Sequence, residues 1–308
     1  MILEKTAASK RMQMCVRSNQ QTGKLLHFDS KATRVNWKAV RAIANVSYAM
    51  VPRAKGVKVT KEKGSDIKGY LCTPKELKGN SIVICIHGGG MLCGSAFGSL
   101  GFATDIAKKS GYRTYSLEYG LAPENKFPKG LEDVYTAYSC IAKENPDSDI
   151  FVTGESAGAY LTIALTCLAI KKGIRVPSAI FPHSPVIDLS GSLDRTGYEL
   201  KDPILAPGAL EAIVSMYCPT EDLTDYRLSP LYFDEFEKFP PVILTADANE
   251  YLKADSLKLH EILAEKGVDI KMYLYHGTYH AFAVTGSITD ETEEILNDIV
   301  DLMRKVSA

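Results

Sequence analysis

At 308 residues the chain is long enough for a large hydrophobic core and for one α/β domain carrying insertions. Hydrophobic residues make up 45% and charged residues 24%, an ordinary globular mix, and a net charge of −1 gives no electrostatic case for a nucleic-acid partner. The opening Met1-Ile2-Leu3-Glu4-Lys5 lacks an apolar signal core and no stretch approaches the roughly 18 apolar residues of a membrane span. The seven cysteines are odd in number and lack metal-ligand spacing, so a reducing cytoplasm and no metal or other cofactor are expected.

In chain order, residues 1–50 read as a separate helical segment. Val35, Val40, Ile43 and Val46 recur every three to five residues, with Lys31, Arg34, Lys38 and Arg41 on the wet side. A basic amphipathic helix can lie on a membrane, but packing on its own protein, with Trp37 buried, is the plainer reading. From residue 56 strands alternate with helices. Val57-Lys58-Val59 and Ile67-Lys68-Gly69-Tyr70-Leu71 flank Lys63-Gly64-Ser65-Asp66 and predict a β-hairpin. The wholly apolar Ile82–Ile86 run suits a central parallel strand buried on both faces.

Further strands are expected at 114–119, 149–153, 179–181, 242–246 and 272–275, and helices at 129–144, 157–172, 254–266 and 288–305. Strict alternation implies a doubly wound, mostly parallel sheet flanked by helices, in a domain spanning residues 51–308. The interval 189–238, rich in Asp, Pro, Tyr and Leu, breaks the rhythm and reads as an insertion beside the site.

Two motifs follow apolar runs. His87-Gly88-Gly89-Gly90 comes after Ile82–Ile86, where a loop can turn backbone N–H groups toward an oxyanion. Gly154-Glu155-Ser156-Ala157-Gly158 stands between a strand and a helix, and a sharp turn there lifts the serine hydroxyl out of the sheet. Together they point to a serine hydrolase with Ser156 as nucleophile and Gly88, Gly89, Gly90 and Ala157 as oxyanion donors. A serine hydroxyl needs a base. His276 leaves the strand 272–275 directly, whereas His280 sits mid-loop and can swing over the serine, so His280 is favoured. His260 falls inside a helix, and His87 shapes the glycine turn. The acid belongs after strand 242–246. Position divides Asp247 and Glu250 evenly, and Asp255 falls in the next helix.

These residues resemble the hormone-sensitive-lipase-like esterases of the α/β-hydrolase fold over about residues 56–306. Beyond the two glycine motifs, Tyr119-Gly120-Leu121-Ala122-Pro123-Glu124 with Phe127-Pro128 and Glu132-Asp133 is similar to that group's YRLAPE…FPxxxED block. Leu228-Ser229-Pro230-Leu231-Tyr232 and Pro240-Pro241 are similar to its VSPLY…PP stretch. The resemblance places the acid nine residues past Pro241, at Glu250, two residues before Leu252. Glutamate there, Gly120 in place of arginine and Glu155 in place of aspartate depart from the family pattern.

The resemblance also implies carboxylester substrates with short acyl chains and a helical cap formed by the N-terminal segment and part of 189–238. Met91, Leu92, Tyr160, Leu189, Met216, Tyr217 and Phe282 are the candidate wall residues. The expected reaction is hydrolysis of small acetyl-type esters through an acyl-enzyme on Ser156, His280 and Glu250. An amidase, lactonase or peptidase with the same triad and a lipase acting at membrane surfaces are the rivals, and a binding protein on a hydrolase scaffold would lack a triad member. A homodimer is compatible with an exposed edge strand near the C-terminal end.

Overall fold

The structure is a computed structural model that describes residues 1–23, 41, 42, 45, 51–196, 202, 204, 205 and 208–308. Its frame is a sheet of nine strands among the described residues. They are β1 (Ile2–Thr6), β2 (Val57–Lys63), β3 (Lys68–Pro74), β4 (Ile82–Ile86), β5 (Arg113–Leu117), β6 (Ile150–Glu155), β7 (Ala179–His183), β8 (Val242–Asp247) and β9 (Ile270–His276). The spatial order is β1-β9-β8-β7-β6-β4-β5-β3-β2. Only β3 runs against the others, pairing antiparallel with both β2 and β5.

Among the described residues, the α-helices with full bounds are α1 (Lys10–Gly23), α2 (Leu100–Ser110), α3 (Lys129–Glu144), α4 (Ala157–Lys172), α5 (Ala209–Tyr217), α6 (Lys253–Glu265) and α7 (Asp290–Val306). Every residue of β4, β6, β7 and β8 is buried, because helices cover both faces and the central strands need no wet side. On one face α3 buries Leu131, Val134, Tyr138 and Ile141, the i, i+3, i+7 and i+10 stripe of an amphipathic helix. Beside it α4 is buried nearly throughout, which explains its almost unbroken apolar sequence, and Gly173 ends it at φ 62°. On the other face α2 and α7 pack Ile106, Ala107, Ile295, Ile299 and Met303 against Val83, Phe151 and Phe181. Thr289 caps α7 by accepting from the Thr292 N–H; acidic residues fill its first turn and Arg304 and Lys305 its last, as the helix dipole favours.

The sheet contains one strand the sequence reading assigned elsewhere. Residues 2–6 do not belong to a helical segment but add β1 to the edge of the sheet, pairing parallel with β9 from Ile2↔Met272 to Thr6↔His276. Thus β9 is not an exposed edge. The helix expected around Val35, Trp37, Val40, Ile43 and Val46, with Lys31, Arg34 and Lys38, lies outside the described residues. Arg41 is described, and it does not face water as expected. Its guanidinium donates to the carbonyls of Leu92 and Ala122, both at 2.7 Å, and pairs with Glu124. No helix among the described residues is long and apolar enough to cross a membrane.

The connections decide where a ligand can bind. From β4 the chain crosses to β5 on one side, whereas β6 lies on the other, so the strand order reverses between β4 and β6. In an open parallel sheet, the crevice at the carboxyl ends of such a strand pair is where ligands bind. His87–Gly90 leaves the end of β4 and Ser156 follows the end of β6.

Candidate active site

The turn from β6 into α4 is built for close backbone packing. A Cβ on Gly158 would come within 2.0 Å of the Ile86 carbonyl oxygen, and one on Gly154 within 2.4 Å of the Gly158 oxygen. Only glycine at both positions lets α4 spring from the strand against β4. Ser156 is forced to φ 52° and ψ −116°, a conformation rarely adopted by non-glycine residues. Its N–H donates to the His183 carbonyl at 2.8 Å, and its carbonyl accepts from Tyr160 N–H at 2.9 Å. Ser156 is half-buried and lines a cavity at the N-terminus of α4.

The glycine turn opposite is held rigidly. His87 Nδ1 bonds the Gly88 carbonyl at 2.9 Å, its ring stacks on Tyr119, and the Tyr119 hydroxyl donates to the His87 carbonyl at 2.8 Å. His87 is thus part of the loop's scaffold. The Gly89 carbonyl accepts from both Leu92 and Cys93 N–H at 3.0 Å, closing the turn. Gly88 does not fit the expectation of an oxyanion donor, because its N–H already donates to Glu155 Oε1 at 2.8 Å. That leaves Gly89, Gly90 and Ala157 as the candidate donors, and Gly90 and Ala157 line the cavity together with Ser156. Burial pushes the Glu155 carboxyl up to about 7, against the pull of the Gly88 hydrogen bond and the neighbouring His87 and His280.

The β9–α7 loop carries His280 and the β8–α6 loop carries both candidate acids. The structure brings Glu250 to the imidazole: His280 Nδ1 donates to Glu250 Oε2 at 2.8 Å, with both side chains buried. Asp247 is occupied elsewhere. Its carboxylate accepts from Thr278 N–H and Oγ1–H at 3.0 and 2.7 Å and from Asn249 N–H at 2.8 Å, which shapes the His280 loop without touching the ring. Asp255 lies in α6 in a buried ion pair with Arg195. His276 is exposed at the end of β9, and His260 is in α6.

Burial by itself would lower the His280 pKa, but the hydrogen bond and charge of Glu250, with the charges of Asp202 and Glu155 behind it, carry the imidazole above its ordinary value. Burial raises Glu250 to about 7, while His280 pulls it back. The second ring nitrogen, Nε2, is buried and makes no hydrogen bond among the described residues. It is therefore free to accept a proton from a hydroxyl entering its reach.

The cavity at Ser156 has a volume of about 50 Å³. Four expected wall residues line it: Met91, Tyr160, Leu189 and Tyr217. Three do not. Leu92 and Met216 are packed into the core beside α3 and α4, and Phe282 lies against Tyr275 in the core on the other face of the sheet. Sequence reasoning missed Val186, Leu205, Leu210, Ile213, Tyr251 and Leu252. Leu210, Ile213 and Tyr217 stand at i, i+3 and i+7 along α5, a periodicity that marks one helix face and excludes Met216 from it.

The relationships to known proteins agree with this architecture. A family model described as alpha/beta hydrolase fold matches residues 83–284. An esterase of Acinetobacter venetianus is 27% identical over 78% of each chain. Mouse hormone-sensitive lipase is 33% identical over 47% of this chain and 20% of its own length. The crystal structure of a hormone-sensitive lipase from a metagenome library superposes with a TM-score of 0.88 at 24% identity, covering 98% of this chain and all of that one. The chain belongs to the α/β-hydrolase fold family.

Proposed function

We propose that the protein is a serine carboxylesterase that hydrolyses small esters with short, acetyl-type acyl groups. The observation that carries this reading is the 2.8 Å bond from His280 Nδ1 to Glu250, which leaves Nε2 free at the same end of the sheet as Ser156. A carboxylate in that position holds the imidazole in the tautomer that can take a proton and stabilises the imidazolium that results.

Ser156 Oγ attacks the ester carbonyl carbon while His280 Nε2 takes the hydroxyl proton. The carbonyl oxygen becomes an oxyanion and receives hydrogen bonds from the N–H groups of Gly89, Gly90 and Ala157; each such donor is worth about 3–4 kcal/mol in the transition state. The intermediate collapses, the bond to the alcohol oxygen breaks, and His280 returns the proton to that oxygen. Water then attacks the acyl-serine, His280 again removes the proton, and Ser156 is restored as the acid leaves.

The cavity supports an apolar acyl or alcohol group rather than a charged one, since Val186, Leu189, Leu210 and Ile213 face the serine. Leu205 and the α5 residues Leu210, Ile213 and Tyr217 complete the lining and act as part of a cap over the serine. The working enzyme is taken to be a protein of the cytoplasm.

The test is turnover of p-nitrophenyl esters from acetate to laurate alongside the matching anilides. Ester cleavage that favours short chains, is absent in Ser156→Ala and far exceeds anilide cleavage is expected. Anilides cleaved as fast as esters, or a folded Ser156→Ala protein with undiminished turnover, would overturn the proposal.

A further inference from the structure

The end of β7 leads into a dipeptide, His183-Ser184, that reaches Ser156, Glu250 and the residue after His280. Its first residue accepts the Ser156 N–H on its main-chain carbonyl at 2.8 Å, which sets the elbow. Its second residue, fully buried and at φ 49°, places its hydroxyl between the Glu250 carboxylate and the backbone just after His280. Ser184 Oγ accepts the N–H of Ala281, the residue after His280, at 3.0 Å. Ala281 is itself at φ 60°, so the loop leaves His280 through a strained residue that this one bond restrains. The same hydroxyl keeps its own proton to give and faces the Glu250 carboxylate, helping to hold it ionised.

The dipeptide is itself well braced. Ser184 N–H continues the β7–β8 ladder to the Thr245 carbonyl at 2.8 Å. Thr153 Oγ1 donates to the Phe181 carbonyl at 2.9 Å, so it must accept from His183 Nε2–H at 3.2 Å. His183 Nδ1 then accepts the Thr245 hydroxyl proton at 3.0 Å. Burial holds this imidazole neutral, its pKa lowered to about 3. A neutral ring gripped from β6 and β8 fixes the point from which the Ser184 hydroxyl projects. Positive φ in a serine with no role beyond packing would be a cost without return, and glycine would relieve it.

We propose that Ser184 is a positioning residue for the proton relay: its hydroxyl fixes the His280 loop through Ala281 and orients the Glu250 carboxylate toward Nδ1. This inference rests on the Ser156–His280–Glu250 reading above. The reacting atoms never meet Ser184, so its removal should slow chemistry while leaving substrate binding alone.

The test pairs Ser184→Gly, which accepts the positive φ without strain, with Ser184→Ala. Each is measured for kcat and KM on p-nitrophenyl acetate, for thermal unfolding by circular dichroism, and for the downfield imidazole N–H proton resonance, assigned to His280 by its loss in His280→Gln. The expected result is a folded Ser184→Gly protein with kcat lowered about 10-fold, KM within about twofold of the parent, and a downfield resonance that is broadened or moved upfield, the size expected when one hydrogen bond to a charged group is lost. Unchanged kcat and resonance in a folded Ser184→Gly protein would overturn the inference. Failure of both variants to fold would also overturn it, because the hydroxyl would then be holding the sheet and not the relay. Retained turnover in Ser156→Ala, by contrast, is the failure of the triad reading itself.

Discussion

The N–H of Gly88 donates to the carboxylate of Glu155 at 2.8 Å, which joins the loop after β4 to the residue before Ser156. The bond crosses the point where strand order reverses, so the two halves of the site are fastened through a buried acid. That acid has a cost. Its carboxyl is raised from the ordinary 4.5 to about 7, so between those values the folded protein keeps a proton that the unfolded chain releases. Stability contributed by the protonated form is full below 4.5 and is lost as pH rises through 7.

Glu155→Gln stays neutral at every pH and its amide oxygen can still accept from Gly88. Its stability should match the parent at pH 5 and exceed it at pH 8 by up to about 3 kcal/mol, the value of the full shift. Urea unfolding of both proteins at the two pH values checks this. A difference that is the same at pH 5 and pH 8 would refute it.

Glu250→Ala should lower kcat about 10³-fold with KM little changed, because the imidazole loses its orienting carboxylate. Asp247→Ala should do the reverse in kind. It strands the buried Thr278 N–H and hydroxyl, lowering the melting temperature by several degrees while kcat falls by about tenfold or less. Steady-state kinetics and thermal melts on the two variants decide between them, and a crippled Asp247→Ala with an active Glu250→Ala would reverse the assignment.

The pH profile of kcat/KM should fall on the acid side as His280 takes up a proton, with a midpoint above the ordinary imidazole value of about 6.5. Glu250 is what raises it. In Glu250→Gln burial acts with less opposition, so the acid limb should move to lower pH as the plateau drops. A limb that stays in place would show that the charge of Glu250 does not act on His280.

Leu210 and Ile213 project from α5 into the cavity, and Ile213 comes close to Gly90. Leu210→Trp fills space that a longer acyl chain needs. Its kcat/KM on p-nitrophenyl octanoate should fall by about 10-fold or more, while acetate changes by less than about threefold. Equal losses on both esters would place Leu210 away from the acyl path.

Arg195 and Asp255 form a buried pair, Nε to Oδ2 at 2.6 Å, and Asp255 also accepts the N–H of Ile187 at 2.9 Å. Arg195→Met leaves that carboxylate buried without its cation and should cost about 3–5 kcal/mol in unfolding free energy. Replacing both residues by apolar ones should recover part of the loss; a single variant as stable as the parent would contradict the pairing.

What could be read from residues alone follows from how local the signals are. The run Ile82–Ile86 and the Leu131, Val134, Tyr138 stripe announce a buried strand and a helix without any partner in view. The five residues of β1 do not, because an edge strand half in water carries only a weak alternation and draws its stability from β9. Glu250 and Asp247 are equivalent by position in the loop; the family resemblance favours Glu250 by its spacing from Pro241, and the tertiary contacts separate the two directly, Thr278 engaging Asp247 and His280 engaging Glu250. Phe282 misleads for the same reason, since it lies two residues from His280 yet turns to Tyr275 on the far face. Nothing in the local sequence around Ser184 announces its role, which arises where β7, the Glu250 loop and the Ala281 turn meet.

The pairing of β1 with β9 joins residues 2–6 to residues 272–276. On a ribosome, β1 would emerge long before β9, and its backbone amides would have to wait through most of the domain's synthesis for their partners. Until then both seam strands would be open templates for another chain, so the final zipping of this border is the step at which crowding and chaperones would have most influence on yield.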